Sequence, residues 1–322
     1  MNIVILDGYS INPGDLNWSS IEAFGNVTVY DRSAPDEVPE RSAGAEMVLV
    51  NKAKVPGDVI RALPQLQFIG ELATGYDNVD IRAAAERNIP VCNVPGYSTA
   101  SVAQFTWALI LELTYNVNRR SDEVHNGAWT RSKDFCFGHE GLFELQGKTL
   151  GLIGLGQIGS AVARIGMAFG MRIIGAVRNP AKYDMPGVRF ADVSECFEQA
   201  DFVSLHCPLT DTNRQIVNKE LLEKMKPSAY LINTARGALV NEQDLADALM
   251  RKRIAGAAVD VLSSEPPPAD HPLLNVPNCV ITPHIAWATR QARERLLLES
   301  AENIKTFLSG GLRNVVNGVK KV

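Results

Sequence analysis

The sequence predicts an α/β protein of two units, each containing a parallel sheet covered by helices. Short β-prone apolar runs alternate with helical stretches in both halves of the chain, and this alternation is typical of strand–helix–strand crossovers. A strand–glycine turn–helix motif begins only near residue 149, so a separate unit precedes it. The length of 322 residues suits two domains, either of which could bury its own core.

The front unit is predicted to contain five strands and three helices. The strands are short apolar runs at Ile3–Leu6, Val27–Tyr30, Met47–Val50, Gln67–Gly70 and Pro90–Asn93. The helical stretches lie near Leu16–Phe24, Asp58–Leu63 and Asp80–Arg87. Because strands and helices alternate, we expect a parallel sheet here.

A longer helix is predicted to begin at Ser98 or Thr99. Its residues from Val102 to Leu113 are apolar nearly all round, which is normal for a buried helix. We expect it to cross between the units or to lie in a subunit interface. The polar segment from Asn116 to Gly141 follows, and we predict a long connection or arm there.

The second unit is predicted to contain a six-stranded, doubly wound sheet. Its strands fall near residues 149–153, 172–177, 201–205, 229–233, 255–260 and 279–282. A final helix from about Thr289 to Leu308 has apolar residues near helical spacing,. Because this helix follows the last strand, we expect it to return to the first unit. The predicted domains are therefore residues 1–98 with 288–322 and residues 99–287, with a cleft between them.

The glycine motif of the second unit is Gly154-Leu-Gly156-Gln-Ile-Gly159, placed after a β-prone run and before a helix. In this context Gly154 allows a tight turn, Gly156 lets backbone N–H groups approach a pyrophosphate, and Gly159 lets helix and strand pack closely. The helix N-terminus then faces the anion with unpaired N–H groups and the positive end of its dipole. The motif predicts a dinucleotide site; the alternative is a glycine-rich structural turn.

Composition and charge disfavour several other classes of protein. The net charge of −4 provides no basic face for nucleic acid,. The five cysteines are scattered, without the spacing of metal ligands, so we expect free thiols in a reducing cytoplasm and no metal. The N-terminus lacks the basic region of a signal peptide, and the apolar stretch near Ala108 to Leu113 is too short to span a membrane,.

Four further segments carry a resemblance to a known family. They are Thr74-Gly-Tyr-Asp-Asn-Val-Asp80, Ile232-Asn-Thr-Ala-Arg-Gly237, Val259-Asp-Val-Leu-Ser-Ser-Glu-Pro266 and Thr282-Pro-His-Ile-Ala286. With the glycine motif, they resemble the D-isomer-specific 2-hydroxyacid dehydrogenases over essentially the whole chain. The resemblance implies a Rossmann domain that binds NAD(P)(H), a discontinuous flavodoxin-like α/β substrate domain, and a homodimer.

The resemblance also implies that Arg236, Glu265 and His284 act on a 2-keto or 2-hydroxy acid, and chemistry supports these residue types. Reduction needs a proton for the carbonyl oxygen near neutral pH, which histidine is suited to supply. A carboxylate on the far ring nitrogen fixes the tautomer and stabilises the imidazolium. Arginine offers a planar, permanently charged fork for the substrate carboxylate. Taken singly, each residue could instead be structural: a helix-capping arginine, a solvated glutamate, a loop histidine.

Further contacts are implied by the resemblance alone. Besides the three glycines, the cofactor contacts carried over are Gln157, Ile158, Cys207, Pro208, Thr234, Ala235 and Asp260. In the front unit, the backbone N–H groups of Ala73, Thr74 and Gly75 would bind the substrate carboxylate, since small residues permit close approach. His206 follows a predicted strand near the cofactor, and we expect it to have a packing role.

The sequence departs from the family pattern at three places. Val177 stands where an acidic residue would bind the ribose of NAD, and Arg178 follows it, so we expect NADP(H) to be accepted and weakly preferred. Trp287 follows the predicted catalytic histidine, where it would contact the substrate and favour a small one; it could instead pack in the hinge. Gln104 replaces a frequent glutamate, for which we have no explanation.

Three functions remain open at this level. The segments Ser263-Ser-Glu-Pro-Pro267 and Pro283-His-Ile-Ala-Trp-Ala-Thr289 resemble the hydroxypyruvate reductase, glycerate dehydrogenase and glyoxylate reductase branch. This branch implies reduction of a small 2-keto acid to the D-2-hydroxy acid. The alternatives are a D-lactate-type or broad-specificity 2-hydroxyacid dehydrogenase and a non-catalytic, dinucleotide-sensing protein like a corepressor. Retention of the arginine, glutamate and histidine favours an enzyme.

Overall fold

The structure is a computed structural model that describes residues 1–320, and its contacts divide the chain into two units. The first unit combines Met1–Ser98 with the C-terminal part of the chain from Trp287, and the second is Thr99–Ala286. The C-terminal part thus begins at Trp287 and not at the expected residue 288. The reason is that the indole packs edge-on against Tyr97 of the same unit, with 6.5 Å between ring centroids.

Within residues 1–98, five short strands form one sheet. They are β1 (Asn2–Ile5), β2 (Asn26–Val29), β3 (Met47–Val50), β4 (Phe68–Glu71) and β5 (Val91–Cys92). All pairs are parallel, in the order β2-β1-β3-β4-β5, which is the flavodoxin-like order. Each predicted strand end lies within one residue of the observed end. Strands such as β3 and β4, buried at every residue, are continuous apolar runs that are easily recognised.

Within the same range, four short helices connect the strands. They are α1 (Ser19–Glu22), α2 (Val38–Arg41), α3 (Gly57–Ala62) and α4 (Ile81–Glu86), and a 3-10 turn, Gly8–Ser10, follows β1. The first helix is shorter than the predicted Leu16–Phe24. The second was missed, because a four-residue helix that contains Pro39 has no helical periodicity. Successive strand residues alternate between two apolar clusters, one containing Val48 and the other Leu49.

Two helices open the second unit, α5 (Thr99–Tyr115) and α6 (Val117–His125). Most apolar residues of α5 are buried within this unit, where Trp107 donates its indole N–H to the carbonyl of Val162 at 3.2 Å. The expected burial on all sides is not complete, since Phe105 and Leu111 are half-buried and Ala108 is exposed. Asn116 joins the two helices in the left-handed conformation, with φ 48°. The predicted connection at 116–141 therefore contains a helix, and α6 has no buried residue.

Within Thr99–Ala286, seven strands form the second sheet. They are β6 (Thr149–Ile153), β7 (Arg172–Ala176), β8 (Val188–Phe190), β9 (Phe202–Leu205), β10 (Tyr230–Asn233), β11 (Gly256–Val259) and β12 (Cys279–Ile281). All pairs are parallel, in the order β12-β11-β10-β9-β6-β7-β8. The prediction of six strands missed β8, which is a partly exposed edge strand of three residues. With β8 included, the first six follow the Rossmann order 3-2-1-4-5-6, and β12 extends the sheet.

The remaining helices pack on this sheet or belong to the first unit. Those of the second unit are α7 (Gln157–Ala168), α8 (Val193–Gln199), α9 (Lys219–Lys224) and α10 (Glu242–Met250), with 3-10 turns at Pro180–Lys182 and Gly237–Leu239. The last helix, α11 (Arg290–Leu308), belongs to the first unit. Thr289 caps it by accepting the N–H of Ala292. Arg293 anchors it through an ion pair with Asp15 at 2.7 Å.

The structure gives the state of the cysteines, the length of the helices and the grouping of possible metal ligands. All five cysteines are free thiols. Burial raises the pKa of Cys92 and of Cys196 to about 12, so these two thiols are protonated packing residues. Among residues 1–320, none of the helices is long and apolar enough to cross a membrane. The same residues contain no group of three or more His, Cys, Asp or Glu side chains that could hold a metal ion.

Candidate active site

The glycine turn between β6 and α7 has the geometry that the motif predicts. Gly154 has φ +99°, and a Cβ there would lie 2.8 Å from the carbonyl oxygen of His206. A Cβ on Gly159 would lie 2.2 Å from the carbonyl oxygen of Gly154. Glycine is therefore required at both positions, the first for conformation and closeness and the second for closeness alone.

Gly156 differs from the other two glycines because space is open beside it. It has φ −64° and ψ −166° as the N-terminal cap of α7, and no atom lies within 4 Å of a Cβ built there. The first helical turn, which includes Gln157 and Ile158, leaves its N–H groups without partners inside the helix. This open turn at the start of a twelve-residue helix fits a dinucleotide pyrophosphate.

The end of β7 carries no acidic side chain. Val177 is half-buried against the core, and Arg178 is exposed. Cys207 lies in the loop after β9. Burial raises the pKa of its thiol, and the charge of Arg178 is close enough to lower that pKa, although less strongly. Asn213 donates its amide to the carbonyl of Pro208 at 2.8 Å. The exposed cation therefore lies near the loop after β9, on the side of the sheet where cofactors of this fold bind.

His206 lies beside the glycine turn. Burial lowers its pKa to about 4, so the imidazole is neutral near pH 7. Its Nε2 lies 2.9 Å from the hydroxyl of Ser204. Its backbone carbonyl oxygen is the atom that excludes a side chain at Gly154. His206 thus shapes the glycine turn.

The turn after β10 is held by Asn233. Its side-chain oxygen accepts the N–H of Ala235 at 3.0 Å, and its amide donates to the carbonyl of Arg236 at 2.9 Å. The hydroxyl of Thr234 is buried and lies 3.1 Å from that of Thr106 in α5. Arg236 is half-buried and donates one guanidinium N–H to the carbonyl of Ala235 at 2.8 Å. The turn therefore fixes the backbone from which the arginine projects.

Gly237 brings this turn against the segment that follows β11. A Cβ on Gly237 would lie 1.9 Å from the carbonyl carbon of Leu262 and 2.3 Å from the amide nitrogen of Ser263. Only glycine fits such an approach. The backbone beside Arg236 is thus packed on the peptide that joins Leu262 and Ser263.

Glu265 and His284 form a close pair. His284 Nδ1 lies 2.6 Å from Glu265 Oε2, and Glu265 Oε1 accepts the N–H of Leu262 at 3.0 Å. The two side chains are 33% and 23% exposed, so solvent and small molecules can reach them. Because Nδ1 faces the carboxylate, Nε2 is the ring nitrogen that can meet a substrate.

Asp260 anchors the loop that carries the histidine. Its carboxylate accepts the hydroxyl of Thr282 at 2.6 Å and the N–H groups of Ile285 at 3.0 Å and Ala286 at 2.8 Å. Its carbonyl oxygen accepts the N–H of His284 at 2.8 Å. Burial raises its pKa, although these hydrogen bonds oppose the rise. The histidine has φ +54°, a conformation that is costly for a side chain with a Cβ and that this anchor maintains.

The expected cofactor contact of Asp260 stays a prediction, and its anchoring role was missed. Thr282 was missed with it. A signal exists in the sequence, because a carboxylate that directly follows a buried strand needs hydrogen-bond donors nearby. The sequence does not reveal that the donors come from the segment after the next strand.

The other predicted substrate residues belong to the first unit. Thr74 follows β4; its hydroxyl donates to the carbonyl of Val94 at 2.9 Å, and its carbonyl accepts the amide of Asn93 at 2.7 Å. Ala73 and Gly75 flank it and are half-buried. Trp287 is half-buried against Tyr97. Their contacts with substrate stay predictions.

Comparisons with known proteins identify the family of this chain. Residues 107–286 match the family described as D-isomer specific 2-hydroxyacid dehydrogenase, NAD binding domain. The chain is 45% identical over 322 residues to a hydroxypyruvate reductase of Blautia hydrogenotrophica, covering 98% of this chain and 100% of the relative. It is 37% identical to a glyoxylate reductase of Aeropyrum pernix, covering 92% and 91%.

A solved structure is similar over the whole chain. It is an NADPH-dependent glyoxylate/hydroxypyruvate reductase from Sinorhizobium meliloti in complex with NADP and malonate. The two proteins are 28% identical, with a TM-score of 0.85 and coverage of 100% of this chain and 98% of the other. The likeness therefore extends through both units.

Proposed function

Because the chain belongs to the D-isomer specific 2-hydroxyacid dehydrogenases, oxidoreductases that act on CH–OH groups and use NAD(P), we propose that it reduces hydroxypyruvate or glyoxylate to the D-2-hydroxy acid. The observation that carries the proposal is the 2.6 Å contact between His284 Nδ1 and Glu265 Oε2. This contact leaves Nε2 free of Glu265 and available to a carbonyl oxygen. The relatives named for these two substrates support the choice of a small keto acid.

The residues divide the reaction between them. Bound NAD(P)H supplies the hydride. His284 gives the proton from Nε2 to the carbonyl oxygen, and Glu265 stabilises the positive charge on the ring while it is protonated. Arg236 binds the substrate carboxylate through its planar guanidinium. The backbone N–H groups of Ala73 to Gly75 are a second proposed contact of that carboxylate.

The test is steady-state reduction of several keto acids, followed by the absorbance of the reduced nicotinamide. We expect kcat/KM to be higher for hydroxypyruvate and glyoxylate than for phenylpyruvate, with a D product. A higher kcat/KM for pyruvate would instead assign a D-lactate-type enzyme. Dinucleotide binding without turnover of any keto acid would favour a sensing protein.

The size of the substrate rests on Trp287 as well as on the relatives. An indole in contact with the substrate would leave little room for a bulky side chain. Trp287→Ala should then raise kcat/KM for phenylpyruvate and leave that for glyoxylate nearly unchanged. An equal loss for both substrates would mean that Trp287 only packs against Tyr97.

For the cofactor, we propose that NADP(H) is accepted and weakly preferred. Val177 cannot bind the ribose hydroxyl of NAD or repel the 2′-phosphate of NADP, whereas the exposed Arg178 can pair with that phosphate,. Such a contact is worth about 1.5–3 kcal/mol, which corresponds to a preference of about tenfold to a hundredfold.

The cofactor proposal is tested with KM values for NADH and NADPH. Arg178→Ala should raise KM for NADPH and leave KM for NADH unchanged. Arg189→Ala removes another partly exposed arginine of this unit, which pairs with Glu195, and serves as the control. Failure of the unaltered protein to use NADPH would contradict the proposal. A KM for NADPH that is unchanged in Arg178→Ala would also contradict it.

We also propose that the protein is a homodimer. Large apolar side chains are exposed along residues 117–135, including Val117 (63%), Trp129 (53%) and Phe135 (88%). Exposed apolar groups in one segment are typical of a surface that a partner covers, and the family resemblance makes a second copy of this chain the expected partner.

Sedimentation should give a dimer that Phe135→Glu weakens. Met250→Glu, at another exposed position (59%), should not weaken it. A monomer in both cases would contradict this proposal.

A further inference from the structure

The carboxylate of Glu242, in the first turn of α10, forms hydrogen bonds with the segment that carries Glu265. Glu242 Oε1 accepts the N–H of Ser263 at 2.7 Å, and Glu242 Oε2 accepts the hydroxyl of the same serine. The side chain of Glu242 is only 11% exposed. Two hydrogen bonds to one residue fix both the position and the orientation of Ser263.

His271 supplies the third donor to this carboxylate. Its Nε2 lies 3.1 Å from Glu242 Oε2, and its side chain is 4% exposed. Its Nδ1 accepts the N–H of Leu273 at 3.3 Å, so Nδ1 carries no proton. This arrangement places the ring N–H on Nε2, which donates a hydrogen bond to the Glu242 carboxylate.

The segment that Glu242 binds contacts two of the residues proposed for the reaction or the backbone beside them. The N–H of Leu262 donates to Glu265 Oε1 at 3.0 Å, which orients the carboxylate whose other oxygen meets His284. The peptide between Leu262 and Ser263 also packs on Gly237, next to Arg236. A shift of this one peptide would therefore move both the histidine partner and the carboxylate-binding arginine.

We propose that Glu242, held by His271, is a positioning residue for the reaction. It fixes the peptide between Leu262 and Ser263 and thereby orients Glu265 and Arg236. The inference rests on the proposed function, because its consequence is the correct placement of groups around a keto acid. Neither Glu242 nor His271 is proposed to touch substrate or cofactor.

Glu242→Gln is the sharpest perturbation, because it keeps size and shape and changes only the hydrogen-bonding pattern. A carboxamide has one acceptor oxygen, whereas three donors from Ser263 and His271 surround the carboxylate. Its NH₂ group would therefore face at least one donor. His271 cannot adapt by moving its proton, because Nδ1 is occupied by the N–H of Leu273.

The first measurement is kcat and KM for the keto acid and for the reduced dinucleotide. Glu242→Gln should lower kcat between about tenfold and a hundredfold, as small displacements of reacting groups do, and should raise KM for the keto acid. KM for the dinucleotide should stay the same. The matched control is Asp244→Asn in the same helical turn, since Asp244 bonds the N–H of Lys219 at 2.9 Å and not this segment. It should leave kcat unchanged.

A double-mutant cycle separates positioning from general loss of stability. If Glu242 acts on kcat through Glu265, Glu242→Gln should reduce kcat in the Glu265→Gln background by no more than about twofold, while KM for the keto acid, which also depends on Arg236, should still rise. Ser263→Ala, which removes only the hydroxyl donor, is a milder second variant and should show a smaller loss with the same non-additivity. Additive losses would overturn the proposal, and so would a lowered melting temperature with unchanged kcat.

A second readout does not need turnover. The ¹⁵N signal of His284 Nδ1 reports its hydrogen bond to Glu265, and it should change in Glu242→Gln in the direction seen in Glu265→Gln. An unchanged signal would overturn the positioning role, whatever the substrate of this protein is. If the signal changes but no keto acid is reduced by the unaltered protein, the proposed function fails and the positioning of Glu265 stands.

Discussion

Glu71→Gln tests a buried carboxyl group at the carboxyl end of β4, directly before the segment predicted to bind substrate. Glu71 is 1% exposed and pairs in register with Val50 of β3. Both of its side-chain oxygens are fully buried. Burial raises its pKa well above the ordinary value of 4.5; Asp7 and Asp77 add to the rise, whereas the side-chain amide of Asn78 and the charge of Lys52 oppose it.

The direction of the pH effect follows from this raised pKa. Below about pH 4.5, the ordinary pKa, the group is protonated in both states and contributes no pH dependence. Above it, the unfolded chain releases the proton while the folded protein keeps it. The free energy of unfolding therefore falls with rising pH, by up to about 1.4 kcal/mol per pH unit, until the folded-state pKa is passed. Glutamine has no proton to release, so this loss disappears.

The assay is urea unfolding of the unaltered protein and of Glu71→Gln between about pH 5 and pH 8. The variant should gain stability relative to the unaltered protein as the pH rises, with the smallest difference at the acidic end. Glu40→Gln, which replaces an exposed glutamate of the same unit, should show no such trend. A difference for Glu71→Gln that is the same at every pH would refute the argument that Glu71 is buried as a neutral acid.

Three further predictions concern the reaction. His284→Ala should keep dinucleotide binding and lower kcat at least about a hundredfold, whereas His125→Ala at an exposed position should not; near-normal turnover would remove His284 from the chemistry. Glu265→Gln should move the fall of the reduction rate to lower pH, because the protonated ring loses its anionic partner at 2.6 Å,; an unchanged pH profile would contradict this. Arg236→Lys keeps the charge without the fork, so KM should rise and kcat fall together; equal activity would mean that another group holds the carboxylate.

The strands were predictable because their physics is local. β3 and β6 are buried at every residue, so each is a continuous apolar run between polar segments. β8 lies at the edge of its sheet with three partly exposed residues, and no apolar run marks it. α6 was missed for the opposite reason, since a helix without a buried residue has no apolar stripe. Elements that bury little surface leave little trace in the sequence.

The motifs predicted the residue types of the proposed site but not the residues that support them. The motifs identify Arg236, Glu265 and His284, and the pair between the last two is present. The left-handed backbone of His284 has no signal, because glycine is the residue that normally marks such a position. The hydrogen bond between Glu242 and Ser263 joins the helix α10 to the loop that follows β11. Contacts of this kind depend on how the chain folds back, which no local pattern encodes.

The order of the strands explains why one edge of the second sheet can hold the reaction. β10, β11 and β12 are neighbours and parallel, with Asn233 opposite Val259 and Val259 opposite Ile281. Arg236, Glu265 and His284 follow these three strands in turn, so the sheet register already brings their backbones side by side. Two further links then remove the remaining freedom: Asp260 at the end of β11 bonds the segment after β12, and Gly237 after β10 packs on the segment after β11. Each loop is thereby fixed to its neighbour by the sheet and by these links. A change in any one link should therefore disturb all three residues proposed for the reaction.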